Sequence, residues 1–134
     1  MNFNKHLIIA VDFDGTIVED AYPKVGKERL FAFETLKRVQ QDGHRLILWT
    51  YRHGKSLQDA VDFCRENGIE FYAVNASFPD EELDGKRSRK VNADIFIDDR
   101  NIGGILAWGE VYQLLTNEKP DIKPAKKGLF GLFK

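Results

Sequence analysis

Cysteine is almost missing from this chain: Cys64 is the single one among 134 residues. It has no partner, so no disulfide is available within the chain, and its place in a helical pattern makes it a small buried hydrophobe. Long apolar runs are missing as well. Nothing approaches the ~18 consecutive apolar residues of a membrane span, and no secretory leader pattern is visible. We therefore expect no membrane span and a reducing, cytoplasmic setting. A charge excess is lacking too: 20 basic against 21 acidic side chains leave a net −1. That removes any global attraction to nucleic acid or to an anionic membrane, although nucleic acid as a substrate stays open. Internal repeats are absent, which excludes a solenoid. What remains is an ordinary balance, 43% hydrophobic and 31% charged, of a length suited to one domain.

The charge is distributed unevenly. Residues 1–118 hold 15 basic and 20 acidic side chains, a net −5, whereas 119–134 hold five lysines and one aspartate, a net +4. We read 1–118 as the core. Residues 119–134, with Pro120, Pro124 and a closing Gly-Leu-Phe-Gly-Leu-Phe-Lys, read as a basic C-terminal tail.

The core is organised around residues 7–18. Leu7 to Val11 form an unbroken apolar run, as expected of a strand buried on both faces of a parallel sheet. Asp12 and Asp14 follow, then Gly15-Thr16 turns the chain. A turn preference accounts for Asp14-Gly15 but not for Asp12, which still belongs to the strand. An EF-hand loop would need glycine at its sixth position, where Ile17 stands. Residues 15–26 then read as a loop or short hairpin, and 27–42 as a helix with Leu30, Phe33, Leu36 and Val39 inward. A strand over 44–50 ends at Thr50. A helix capped by Ser56 and faced by Leu57, Ala60, Val61 and Cys64 leads to a strand over 69–74. A long polar loop spans 75–88, with a short helical piece over 88–93. The strand 94–97 ends in Asp98-Asp99, and a helix over 105–116 turns Leu106, Val111, Leu114 and Leu115 inward. Strands and helices alternate throughout. We expect an α/β three-layer sandwich with a central parallel sheet, Rossmann-type, with right-handed crossovers.

In such a sheet the carboxyl ends of the strands share one edge, where ligands bind. Four carboxylates gathered there are costly without a hard cation, and all-oxygen ligation points to Mg²⁺. Thr50 and a lysine, Lys86 or Lys90, complete a site for an anion. Those are the parts that phosphoryl transfer needs. Of the two lysines we favour Lys90, because a short helix fixes it better than the Gly85-led loop fixes Lys86.

Val-Asp-Phe-Asp-Gly-Thr, Leu-Trp-Thr and Phe-Ile-Asp-Asp together resemble the first, second and fourth motifs of the haloacid dehalogenase (HAD) superfamily of phosphohydrolases. The likeness covers roughly residues 6 to 117. It implies that Asp12 is the nucleophile that becomes an aspartyl-phosphate, and that Asp14 protonates the leaving oxygen and then activates water. It implies that Asp12, Asp14 (through its backbone carbonyl) and Asp98 hold Mg²⁺, with Asp99 tuning the water shell. Thr50, the lysine and backbone amides after Asp12, including that of Gly15, would bind the phosphoryl oxygens. Neither gap that carries a cap domain in relatives is long enough for one here, so the chain looks capless (C0-type), with an open site. Tyr51, Arg52 and Arg100, on loops at that edge, either contact substrate or stand as solvated loop residues. The expectation is a Mg²⁺-dependent phosphatase acting on a small molecule or on an exposed phosphate of a polymer, with a homo-oligomer as one way to cover the site. A nucleotide or polynucleotide phosphatase or phosphotransferase would use the same machinery. A non-catalytic phosphate-binding or interaction module is the reading outside enzymes.

Overall fold

The structure, a computed structural model, describes residues 5–116; the basic tail expected at 119–134 lies outside the described residues. Four parallel strands make the sheet: β1 Ile8–Val11, β2 Arg45–Leu48, β3 Ala73–Val74 and β4 Ile95–Ile97, in the order β3-β2-β1-β4. Three helices accompany them, α1 Ala32–Gln41, α2 Gly54–Glu66 and α3 Trp108–Thr116. This is the expected α/β fold with a parallel central sheet, and the described residues include no cap domain. No helix among the described residues is long and apolar enough to cross a membrane.

Alternation along the strands sorts the core into two faces. Ile9, Val11, Leu46, Leu48 and Ile97 pack on one side with Phe33, Leu36, Ala60, Cys64, Trp108 and Val111 from all three helices. Burial pushes the Cys64 thiol up to about 12, so it is the inert hydrophobe its pattern implied. Ala10, Ile47 and Phe96 point the other way, and what covers them there is Val91, Ala76 and Ala93 of the 75–93 connection. The right-handed crossover rule explains the split. The β1-to-β2 and β2-to-β3 connections advance in one direction and share a face, whereas β3-to-β4 returns past β1 and must cross on the other.

Several local expectations change in the structure, among them the strand expected over 69–74, which is confined to Ala73–Val74, and the last helix, which starts at Trp108 and not at 105. α1 starts at Ala32, not Lys27, because 27–29 are used otherwise: Glu19 N–H donates to the Lys27 carbonyl and Arg29 N–H to the Ile17 carbonyl. The 15–26 segment is thus the short hairpin that was one of its two readings. It leaves Leu30 76% exposed instead of inward, and Phe31 left-handed at φ 65°. α2 begins at Gly54, and Ser56, inside its first turn, donates its hydroxyl to the His53 carbonyl and caps nothing. Leu106 and Leu114 are exposed, lining an apolar groove of about 440 Å³ between edge strand β4 and α3. The helix expected over 88–93 is absent. Arg89 and Lys90 would carry like charges into it directly behind Lys86 and Arg87, and the Ser88 hydroxyl accepts the Lys90 N–H to make a turn instead.

Candidate active site

β1 lies between β2 and β4, so the residues that follow these three strands meet at one edge. Asp12, Asp14, Thr50 and Asp98 line a cleft of about 670 Å³ there, together with Asp20, Tyr22, Trp49, Tyr51 and Arg100. The carboxylates divide into two groups with different partners.

Asp12, Asp98 and Asp99 form the first. One oxygen from each lies within 4.8 Å of the others. The Thr16 hydroxyl donates to Asp12 Oδ2 at 2.9 Å and reaches Asp99 Oδ1 at 3.5 Å. Thr16 is itself fully buried, and its carbonyl accepts from Trp108 Nε1 and from Arg29, so α3 and the hairpin both pin the turn. Burial, then the hydrogen bond with Asp99, then the charges of Asp98 and Asp99 push Asp12 from 3.8 up to about 7, the Thr16 hydroxyl opposing them. Three hard oxygen donors whose mutual repulsion needs relief fit a divalent cation such as Mg²⁺. Gly15 makes the approach possible. At φ +83° a Cβ on it would stand 2.2 Å from Asp99 Oδ2, so only glycine lets β4's carboxylate come this close.

Asp14 forms the second group, with Arg52. Arg52 Nε and Nη2 each donate to one Asp14 oxygen at 2.8 Å, a two-pronged ion pair. The other Arg52 donors go to the carbonyls of Pro23, Lys24 and Ser56. Its guanidinium lies 5.0 Å from the Phe13 ring centroid and 5.3 Å from that of Tyr22. Arg52 is only 1% exposed, and the hydrogen bonds to Asp14 raise its pKa further, against the opposing effect of burial.

Several assigned roles move accordingly. Arg52 is no substrate-facing loop charge; it is a buried clamp on Asp14. Gly15 N–H already donates to the Val18 carbonyl, so the glycine serves by its missing side chain and not by its amide. The third carboxylate beside Asp12 and Asp98 is that of Asp99; the carboxylate of Asp14, whose expected metal ligand was the backbone carbonyl, is taken by Arg52. Thr50 is in place, its N–H held by Asn75 Oδ1 and its hydroxyl oxygen accepting the Arg52 N–H. Neither Lys90 nor Lys86 lines the cleft. The Lys90 ammonium rests 5.4 Å from the Phe96 ring centroid, on the sheet face opposite the helices. Four residues past it, Asp94 accepts the N–H of Ile8, at the amino end of β1, far along the strand from Asp12. Among the described residues that line the cleft, Arg100 is the cation. Thr16 and the Arg52 clamp were not anticipated; the offset of four between Asp12 and Thr16 was the available signal for the first.

No protein-family model matches the chain, and no curated protein matches it. A solved structure does. It is that of a conserved protein coded by a locus of Bacteroides thetaiotaomicron, 52% identical, and the likeness spans 87% of this chain and 94% of that one with a TM-score of 0.81. The chain belongs to that protein's family. The shared fold therefore extends over nearly the whole of the relative.

Proposed function

We propose that this chain is a Mg²⁺-dependent, capless phosphomonoester hydrolase of the HAD type. The observation that carries the reading is the convergence of Asp12, Asp98 and Asp99 within 4.8 Å, in a cleft that also presents Asp14, Thr50 and Arg100. Asp12, Asp98 and Asp99 would hold the ion, which supplies charge neutralisation for the phosphoryl oxygens.

Asp12, its rotamer fixed by the Thr16 hydroxyl, attacks phosphorus. A carboxylate O–P bond forms as the P–O bond to the leaving group breaks, and Asp14 gives the leaving oxygen a proton. Water then attacks phosphorus of the aspartyl-phosphate, Asp14 takes the water's proton, the Asp12 O–P bond breaks to free the carboxylate, and inorganic phosphate departs. Each Asp14 oxygen keeps a lone pair after serving Arg52, so proton exchange on the cleft side stays open without breaking the clamp. Arg100 and Thr50, both lining the cleft, would take the phosphoryl oxygens. Phosphorylated small molecules, or an exposed phosphate on a polymer, would enter from the uncapped side. Hydrolysis of p-nitrophenyl phosphate by the purified chain, abolished by EDTA and by Asp12→Asn and restored by Mg²⁺, tests the reading. Undiminished turnover by Asp12→Asn would sink it.

A further inference from the structure

Three of the nine residues lining the cleft are aromatic, Tyr22, Trp49 and Tyr51, in a chain that is 12% aromatic. Two of them remain in water. Tyr51 is 86% exposed and Tyr22 43%, and they meet edge to face with ring centroids 6.1 Å apart. A lone exposed tyrosine asks for no explanation. A pair of them at the mouth of a site that already holds the reacting groups does.

The pair is also built. The Arg52 guanidinium lies over the Tyr22 ring, and the Tyr22 N–H donates to Asp20 Oδ1 at 3.2 Å. The same guanidinium holds both oxygens of Asp14. Tyr22 is thereby tied to the carboxylate that serves the leaving oxygen, on the leaving-group side of the ester. Tyr51 then adds a ring whose surface is almost entirely free. Tyr22, held in advance, loses little freedom on binding, and a tyrosine has only two side-chain torsions to fix, which is why it makes an efficient contact surface. The remaining lining is mostly acidic, with Asp12, Asp14, Asp20 and Asp98 against Arg100 and the neutral Thr50. A leaving group bringing further negative charge would be repelled there.

We propose that Tyr22 and Tyr51 form a stacking platform that selects phosphate monoesters whose alcohol carries an uncharged, flat aromatic ring, such as a nucleoside or a phenol. The inference rests on the phosphatase reading and gives it a substrate class. A capless edge has little wall with which to reject a wrong substrate, so selection here comes from attraction to the ring.

AMP and ribose 5-phosphate present the same ester and differ in the base, which makes their ratio of kcat/KM the measurement. A stacked base should favour AMP by a factor on the order of 10. Tyr51→Ala should bring the ratio close to one, and Tyr51→Phe, which keeps the ring, should preserve it. Phenyl phosphate separates the two sources: a loss in Tyr51→Ala as large as that for AMP means that any flat ring is read, and a loss confined to AMP means the nucleoside. A native ratio near one overturns the proposal. So does a high ratio that survives Tyr51→Ala, or one that Tyr51→Phe destroys. If the folded chain, checked by circular dichroism, hydrolyses none of these esters nor p-nitrophenyl phosphate with Mg²⁺, the phosphatase reading itself falls, and this inference with it.

Discussion

Asp14 and Asp12 are two residues apart on one strand end, yet the protein treats them in opposite ways. Asp14 meets a buried guanidinium whose donors all find protein oxygens. Asp12 meets two more carboxylates and receives a single hydroxyl. The fold completes its own electrostatics at one position and leaves them open at the other. Under the proposed function the site takes in a cation and then a phosphoryl group, and it cannot be finished in advance where they would bind. It would gain from being finished where the proposed proton carrier has to stay put.

Turnover gives the largest contrast between the two. Asp12→Asn should lose activity by a factor on the order of 10⁴–10⁶, as when a nucleophile is removed. Asp14→Asn should lose roughly 10²–10⁴, the usual share of an acid–base group. Only Asp14→Asn should still take a phosphoryl label from a reactive donor, and label found on Asp12→Asn protein would refute the assignment.

Stability should separate the groups by sign. Arg52→Met strands Asp14 in a largely enclosed position and should cost about 3–5 kcal/mol in urea unfolding, the usual penalty for breaking a buried pair. Asp99→Asn removes a repelling charge and should stabilise the metal-free protein. If both variants lose stability in EDTA, the two carboxylate groups do not differ as described.

The pH dependence sharpens the same contrast. In the metal-free fold Asp12 stands near 7, against 3.8 as its ordinary value. Folding thus favours the protonated form, so this stabilisation is complete below pH 3.8 and is lost as pH rises through about 7. Unfolding midpoints in EDTA should fall over that window. Mg²⁺ should offset the loss at pH 8, and Asp12→Asn should flatten the slope. A midpoint that rises from pH 5 to 8 without metal would contradict this placement of Asp12.

The smallest effects belong to the lysines. Lys90→Ala and Lys86→Ala should each leave kcat within about twofold, as for exposed charges, while Arg100→Ala should reduce it by a factor on the order of 10 or more. Lys90→Ala as the inactive variant would mean that its contact with Phe96 is not the working position.

The sequence by itself determined the parallel sheet and the edge at which the site forms. Five apolar residues running into Asp12, and Ile95-Phe96-Ile97 running into Asp98, carry that information locally, because buried strands and their polar ends are written in consecutive residues. Helix starts were less legible. Lys27 to Phe31 have a helical pattern, but 27–29 pair with 17–19, a competition between distant segments that no local periodicity records. What only the tertiary structure decided was which charge meets which. Arg52 lies 38 positions from Asp14 and reads as a loop cation until Pro23, Lys24 and Ser56 are folded around it. Lys90 reads as a site lysine until the connection sets its ammonium over the Phe96 ring, on the face opposite the helices. Pairing over such separations depends on the path of the chain through space. A residue's type fixes what it is able to bind, and the fold alone sets what stands within reach.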